Sequence, residues 1–166
     1  MDNIIRGKAH VYGDDINTDV IIPGKYTKIL DRRVLGEHAM EDLDENFTKK
    51  FKHGDILVAG KNFGCGSSRE QAPVALQVAG VSAIISKFFA RIFYRNAINI
   101  GLPALTLEEY DIVTGDELEI DLKIGKITNL TRNLTFQSEK MPEVMLSILN
   151  EGGLVKYLTK HGSYQL

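Results

Sequence analysis

The chain has one cysteine, Cys65, and no tryptophan among its 166 residues. A single thiol excludes an internal disulfide and suits a reducing cytoplasm. It also excludes an iron–sulfur cluster held by this chain alone, because such clusters take several thiolates. With no tryptophan and aromatics at 8%, there is no stacking platform for nucleobases. A basic excess is missing as well. The net charge is -2, whereas a protein that grips nucleic-acid phosphates carries a positive surplus, so no nucleic-acid partner is expected. No apolar run is long enough to cross a bilayer, and no membrane role is expected. Met1-Asp2-Asn3-Ile4-Ile5-Arg6 lacks the apolar core of a signal peptide, so a cytoplasmic location is expected. His10, His38, His53 and His161 are scattered without metal-ligand spacing. Asp14, Asp15 and Asp19 lie close together, but their spacing misses the calcium loop of an EF-hand and no glutamate closes the set. No metal is therefore expected on this chain. What is present is a hydrophobic content of 43%, enough for one domain with a real core spanning residues 1–166.

The organising stretch is Ala59-Gly60-Lys61-Asn62-Phe63-Gly64-Cys65-Gly66-Ser67-Ser68-Arg69-Glu70. It follows an apolar run, Asp55 to Ala59, that reads as a buried strand, and precedes helical spacing from Ala72 to Val78. Strand-to-helix turns are where α/β folds place ligand sites. Gly60, Gly64 and Gly66 let the backbone approach a ligand, and two serines and an arginine follow at once. That combination suits a carboxylate or a phosphate. A structural reading stands beside it: Ser67-Ser68-Arg69-Glu70 fits a capping box. Pro73 opposes a helix that begins at Ser67, and favours one that begins near Pro73 with the serines left in the loop. No P-loop ending follows the glycines, and the third glycine of a dinucleotide fingerprint is absent. Cys65 has no histidine that the sequence places beside it as a base, so it reads as a small residue packed in the turn.

In chain order, Gly7 to Tyr12 reads as a first strand, followed by a polar turn cluster from Gly13 to Asp19. Val20 to Gly24 is apolar and ends in a turn. Lys25 to Arg33 reads as an exposed, mobile loop. Helical spacing from Val34 to Asp42 and a short helix from Asp44 to about Lys52 follow. Beyond the central loop, the helix ends at Gly80. Val81 to Ser86 reads as a strand, and Phe88 to Ile98 as a helix with Phe89, Ile92, Phe93 and Ala97 on one side. Arg91 and Arg95, four apart, share one edge of it. Gly101 to Leu107 is another strand. This alternation predicts parallel α/β structure. After Leu107 the pattern changes to short antiparallel strands at Leu118–Leu122, Ile127–Leu130 and Leu134–Gln137. A helix from Met141 to Leu149, a Gly152-Gly153 break, a last helical piece and a polar tail complete the chain. Chemistry alone stops at an anion-binding α/β domain without a base or metal of its own.

Three blocks carry a resemblance. The first is Gly13-Asp14-Asp15-Ile16-Asn17-Thr18-Asp19 with Ile21-Ile22-Pro23-Gly24. The second runs from Lys61 to Glu70, and the third from Phe89-Ala90-Arg91-Ile92-Phe93 to Gly101-Leu102-Pro103. In this order the chain resembles the family of 3-isopropylmalate dehydratase small subunits, the separate-chain version of the swivelling domain of aconitase. The likeness implies an α/β swivelling domain with a parallel β/α core, an added antiparallel β layer and C-terminal helices. It implies a hydro-lyase subunit of leucine biosynthesis, active only with a large subunit. That partner would carry a [4Fe–4S] cluster whose open iron serves as a Lewis acid. The substrate would be a small dicarboxylate.

The resemblance also assigns roles. Ser67, as an alkoxide, would take the proton beside a carboxylate. Ser68 and Arg69 would hold substrate carboxylates, with Arg69 also lowering the proton affinity of Ser67. Asp19 matches a family position near the substrate, and Arg91 one that organises the loop. Lys25, Tyr26, Thr27 and Lys28 fall in the segment that reads the substrate's side group. Many relatives have Tyr-Leu there, followed by an apolar residue or an arginine. Tyr26-Thr27-Lys28-Ile29 departs from that pattern. Isopropylmalate therefore stands beside homoaconitate, citramalate and 2,3-dimethylmalate as a substrate, and beside a non-catalytic carboxylate-binding module as a function.

Overall fold

In the computed structural model, residues 3–163 are described. The first two residues of the segment read for a signal peptide, and residues 164–166 of the polar tail, lie outside them. Alternating burial sets the first strand, β1 (Ile4–Val11), with Ile5 and Ala9 turned inward. The strand starts three residues before the expected Gly7. Its first half, Ile4 to Lys8, pairs antiparallel with a later strand, while Ala9 to Val11 pair parallel with the next one. Those first residues extend the strand because they find partners in a segment distant in sequence. A short helix, α1 (Thr18–Ile21), leads into the apolar run from Val20 to Gly24 that ends in a turn. The Asn17 side chain caps it by accepting from the Val20 N–H at 2.9 Å. A 3-10 turn at Gly24–Tyr26 leads to α2 (Arg32–Glu37), capped by Asp31, and then to α3 (Phe47–Lys50). The helix expected from Val34 to Asp42 thus begins earlier and ends sooner.

The strand β2 (Ile56–Ala59) is buried throughout. Leu57 and Ala59 face one core while Ile56 and Val58 face the other, as a strand covered on both faces requires. The helix α4 (Gln71–Ala79) holds Pro73 in its first turn, where a missing N–H costs nothing, and stops at Gly80. The strand β3 (Ala83–Ser86), the helix α5 (Arg91–Asn99) and the strand β4 (Ala104–Thr106) complete the parallel unit. Phe89, Phe93 and Ala97 are buried, but Ile92 is 52% exposed. The helix begins only at Arg91, so Phe89 precedes it and Ile92 falls on the solvent side.

The strands β5 (Glu117–Asp121), β6 (Lys126–Asn129) and β7 (Leu134–Gln137) are antiparallel, and α6 (Glu143–Asn150) and α7 (Leu154–His161) follow. All seven strands form one sheet, in the order β4-β3-β2-β1-β5-β6-β7. The antiparallel strands therefore continue the parallel ones edge to edge through β1. One apolar cluster joins the helices to one face of the sheet. The other joins Ile5, Ile56, Val58 and Ile85 to Leu118, Ile120 and Ile127. Among the described residues, no helix is long and apolar enough to cross a membrane.

Candidate active site

The parallel strands β1, β2 and β3 end at the same edge of the sheet, and the segments leaving them meet there. The segment after β1 runs beside the glycine loop after β2. The Gly60 N–H donates to the Gly13 carbonyl at 3.0 Å, Asp15 N–H to the Lys61 carbonyl at 2.9 Å, Gly64 N–H to the Ile16 carbonyl at 2.8 Å and Thr18 N–H to the Cys65 carbonyl at 2.9 Å. Asp14 accepts from the Lys61 N–H at 2.7 Å, and Asp15 from the Asn62 side chain at 3.1 Å. These two aspartates tie turns together. On the other side, the Phe63 N–H donates to the Phe88 carbonyl at 3.0 Å and the Ala90 N–H to the Phe63 carbonyl at 2.9 Å. The glycine loop is thus zipped between two segments distant in sequence.

Gly64 shows why the loop needs glycine. Its φ is +80°, and a methyl built on it would fall 2.8 Å from Phe93 Cδ2 and closer still to the Cβ and Cγ of that ring. Phe93 is 2% exposed and meets the Phe63 ring edge-on at 5.1 Å. The backbone therefore rests directly on the aromatic core under α5. The alternative capping box does not form. The helix starts at Gln71, its cap position is Glu70, and no side chain caps it. Ser67 and Ser68 stay in the loop, exposed.

The hydroxyl of Ser67 meets Thr18. Thr18 Oγ1 donates to the Ser67 carbonyl at 2.9 Å and lies 3.2 Å from Ser67 Oγ. Thr18 is 2% exposed. The Arg69 guanidinium folds back onto the segment after β1. It forms an ion pair with Asp19, and its Nη1 donates to the Ile22 carbonyl at 3.1 Å. Its Nη2 also lies where a side chain on Gly24 would begin, 3.4 Å away. Asp19 therefore orients Arg69. The Asp19 side chain is otherwise open, at 66% exposure. Arg69 keeps N–H groups on Nη2 and Nε beyond these two bonds and is 23% exposed at its side chain, enough to receive a small anion.

The four residues of the expected side-group segment are placed unequally. The Tyr26 ring stacks on His38 with centroids 4.1 Å apart. Its hydroxyl bonds to Glu41, which raises the pKa of the phenol. Glu41 also meets His38 Nδ1 at 2.7 Å and Lys25 Nζ at 4.0 Å. Burial pushes the Glu41 carboxyl up, but the bonds from His38 and Tyr26 outweigh it and leave the pKa lowered. Thr27 Oγ1 donates to the Gly24 carbonyl at 2.8 Å, and the Thr27 carbonyl accepts from Gln71 at 2.9 Å. Lys28 is exposed. Sequence reasoning missed Thr18, His38, Glu41 and Gln71. Only the position of Thr18 inside the first motif block could have signalled its role. Arg91 is exposed at the start of α5. With Arg95 it borders a groove between α5 and α6 that Tyr94, Ile98, Val144 and Met145 also line, while Ala90 just before it is bonded to Phe63 of the glycine loop. Among the described residues, no three His, Cys, Asp or Glu side chains gather as a metal site. With Cys65 as the sole thiol, the residues do not fit a [4Fe–4S] cluster on this chain.

Comparison with known proteins bears on this arrangement. The aconitase C-terminal domain family matches residues 8–110. The chain is 55% identical over 161 residues to the 3-isopropylmalate dehydratase small subunit 2 of Archaeoglobus fulgidus, covering 96% of this chain and 98% of that protein. It is 52% identical over 163 residues to the 3-isopropylmalate dehydratase small subunit 1 of Thermotoga maritima, covering 97% and 98%. A crystal structure of 3-isopropylmalate dehydratase from Methanocaldococcus jannaschii superposes with a TM-score of 0.91 at 50% identity, over 96% of this chain and 95% of that one.

Proposed function

The chain belongs to the aconitase C-terminal domain family, among the 3-isopropylmalate dehydratase small subunits, and from that premise we propose how its residues serve the reaction. The reaction is the interconversion of 2- and 3-isopropylmalate through isopropylmaleate in leucine biosynthesis. The chain works as one swivel-type domain, residues 1–166, with a large subunit as its partner. A [4Fe–4S] cluster belongs on that partner, since this chain has one thiol.

Ser67 is the base on this side of the site. Its Oγ takes the proton from the carbon next to a substrate carboxylate. The C–H electron pair becomes the new C=C bond, and the hydroxyl on the neighbouring carbon leaves on the partner's side. Water added back in the opposite sense moves the hydroxyl. Ser68 Oγ and the free N–H groups of Arg69 hold a carboxylate, and Asp19 fixes the guanidinium that does so. Lys28 reads the substrate's side group from the 25–28 segment, where Lys25 and Tyr26 are held by Glu41 and His38. The observation that carries this reading is the exposed Ser67-Ser68 pair beside an arginine aimed by its own ion pair. In water a serine hydroxyl is a poor base, so the site works only once a partner covers it.

The test is isopropylmaleate hydration by this chain, alone and with its large subunit, for Ser67 and for Ser67→Ala. Turnover only in the mixture, and a loss of roughly 100-fold or more in Ser67→Ala with assembly intact, is expected. Normal turnover by the variant removes Ser67 from the role of base. The same preparation offered homoaconitate, citramalate and 2,3-dimethylmaleate reads the preference at Lys28. Binding of dicarboxylates without a partner, and no turnover with one, would leave a carboxylate-binding module.

A further inference from the structure

We propose that Thr18 is the positioning residue that makes Ser67 a base: one buried hydroxyl that serves the serine in both its protonated and its deprotonated form. This rests on the reading of Ser67 given above. Thr18 has a single hydroxyl proton and two acceptors within reach, the Ser67 carbonyl at 2.9 Å and Ser67 Oγ at 3.2 Å. While Ser67 is neutral, the Thr18 proton goes to the carbonyl and the Ser67 hydroxyl donates into Thr18 Oγ1. Both protons are then used, and the serine rotamer is held. When Ser67 has given its proton to the alkene carbon in the hydration direction, Oγ is an anion and the better acceptor. The Thr18 O–H turns about its own C–O bond and donates to Oγ. No heavy atom moves, and the bond formed is charge-assisted, roughly twice as strong as the neutral one it replaces.

The surroundings make this switch specific. Thr18 is held by its own N–H to the Cys65 carbonyl at 2.9 Å and by its place at the start of α1. Burial keeps water from competing for its hydroxyl, because Thr18 is 2% exposed. The Arg69 guanidinium is engaged with Asp19 and the Ile22 carbonyl, and its backbone N–H donates to the Ser67 carbonyl at 2.9 Å, which keeps that carbonyl paired when the Thr18 proton leaves it. The side chain within hydrogen-bond distance of the Ser67 hydroxyl is the threonine, at 3.2 Å.

Thr18→Val keeps the shape and removes the donor. In the assembled enzyme, kcat should fall roughly 10- to 100-fold with KM nearly unchanged, because the lost bond is made to the alkoxide and not to substrate. Proton removal becomes slower, so the deuterium isotope effect from substrate labelled at the carbon that loses its proton should grow. Thr18→Ser restores the hydroxyl and should recover most of the rate. A purely structural role predicts a change in assembly or KM, with an unchanged isotope effect. Ser67→Ala is run in parallel. If it turns over normally, the base assignment itself falls. If it is inactive while Thr18→Val keeps a normal kcat and isotope effect, only the role of Thr18 falls.

A second measurement needs no partner. In the full chain carrying Cys65→Ala and Ser67→Cys, the pH dependence of alkylation reports the thiol at position 67. Adding Thr18→Val should raise its pKa by about one unit, since a thiolate loses the same donor. An equal pKa with and without the threonine hydroxyl overturns the proposal.

Discussion

Replacing Gly64 by alanine isolates how the reactive loop is held. Two costs follow from the geometry. The residue keeps φ near +80°, which costs an L-residue about 1–2 kcal/mol. Its methyl also falls on the buried Phe93 ring, 2.8 Å from Cδ2, and overpacking of this kind costs about 1–3 kcal/mol. Phe93 has little freedom to retreat, because Phe63 meets it edge-on and Phe89 lies parallel to it with centroids 6.3 Å away. The sum is about 2–5 kcal/mol, or a fall in Tm of roughly 4–20 °C for a chain of this size. Urea and thermal unfolding of the full chain measure it. A double-mutant cycle tests the cause. Phe93→Ala alone costs about 3–5 kcal/mol through its cavity. In the double variant the new methyl enters that cavity, so the two penalties add to less than their sum by at least about 1 kcal/mol. Gly64→Ala within about 0.5 kcal/mol of the parent, or strict additivity in the cycle, would refute the account of a loop backbone resting on Phe93.

Ser86→Ala should weaken the same loop from below. The Ser86 hydroxyl is fully buried, 2.6 Å from the Gly60 carbonyl, and accepts from the Phe88 N–H at 3.2 Å. Its removal takes one donor from the Gly60 and Phe88 carbonyls, which keep the Lys87 and Phe63 N–H groups, and the acceptor from the Phe88 N–H, and should cost about 0.5–1.5 kcal/mol, read as a lower urea midpoint. Asp55 carries a pH-dependent share of stability at the opposite end of the sheet. Burial pushes its carboxyl up, but bonds from the His10 ring and the Lys52 and Lys8 N–H groups outweigh it and hold the pKa below the usual value. That contribution is complete above about pH 4 and is lost as pH falls through the lowered pKa. Asp55→Asn should therefore be less stable than the parent at pH 7, with the gap in urea midpoint closing below about pH 4. A gap that is constant with pH would show that the carboxylate charge does not matter.

Local pattern made much of the fold legible, and distance along the chain hid the rest. The run from Asp55 to Gly80 can be read directly: an apolar strand, a glycine turn, a proline admissible only in a first turn, and a glycine stop. The choice between a capping box and a free loop rested on Pro73, and the helix does start late enough to leave Ser67 and Ser68 in the loop. Ile92 was placed on the buried side because apolar spacing does not say that the helix begins at Arg91 and not at Phe88. The extent of β1 was hidden because its two halves answer to different neighbours. The engagement of Tyr26 was hidden because His38 and Glu41 lie beyond a turn and a helix. Thr18 looked like one polar residue in a turn cluster. Its buried position and its bond to a residue 49 positions away are products of tertiary packing.

A site divided between two chains places unequal demands on its halves. Ser67 and Ser68 are exposed and Arg69 partly so, so on the proposed reading the electrostatics that lower the serine's proton affinity develop only when a partner removes water from this face. What this chain supplies beforehand is geometry. Backbone bonds from both flanking segments, the Phe93 ring beneath Gly64 and the Asp19–Arg69 pair fix the loop before any partner arrives. Reorganisation at docking is then small, and the free energy of closure goes into drying the site instead of shaping it. The 25–28 segment follows the same logic. Lys25 and Tyr26 are anchored to α2 and the turn after it, and Lys28 stands exposed. On the proposed reading, a change of side-group preference arises at position 28, whose side chain is exposed. The glycine loop is hydrogen-bonded along both flanks, while Lys28 stands exposed at the end of a tethered turn.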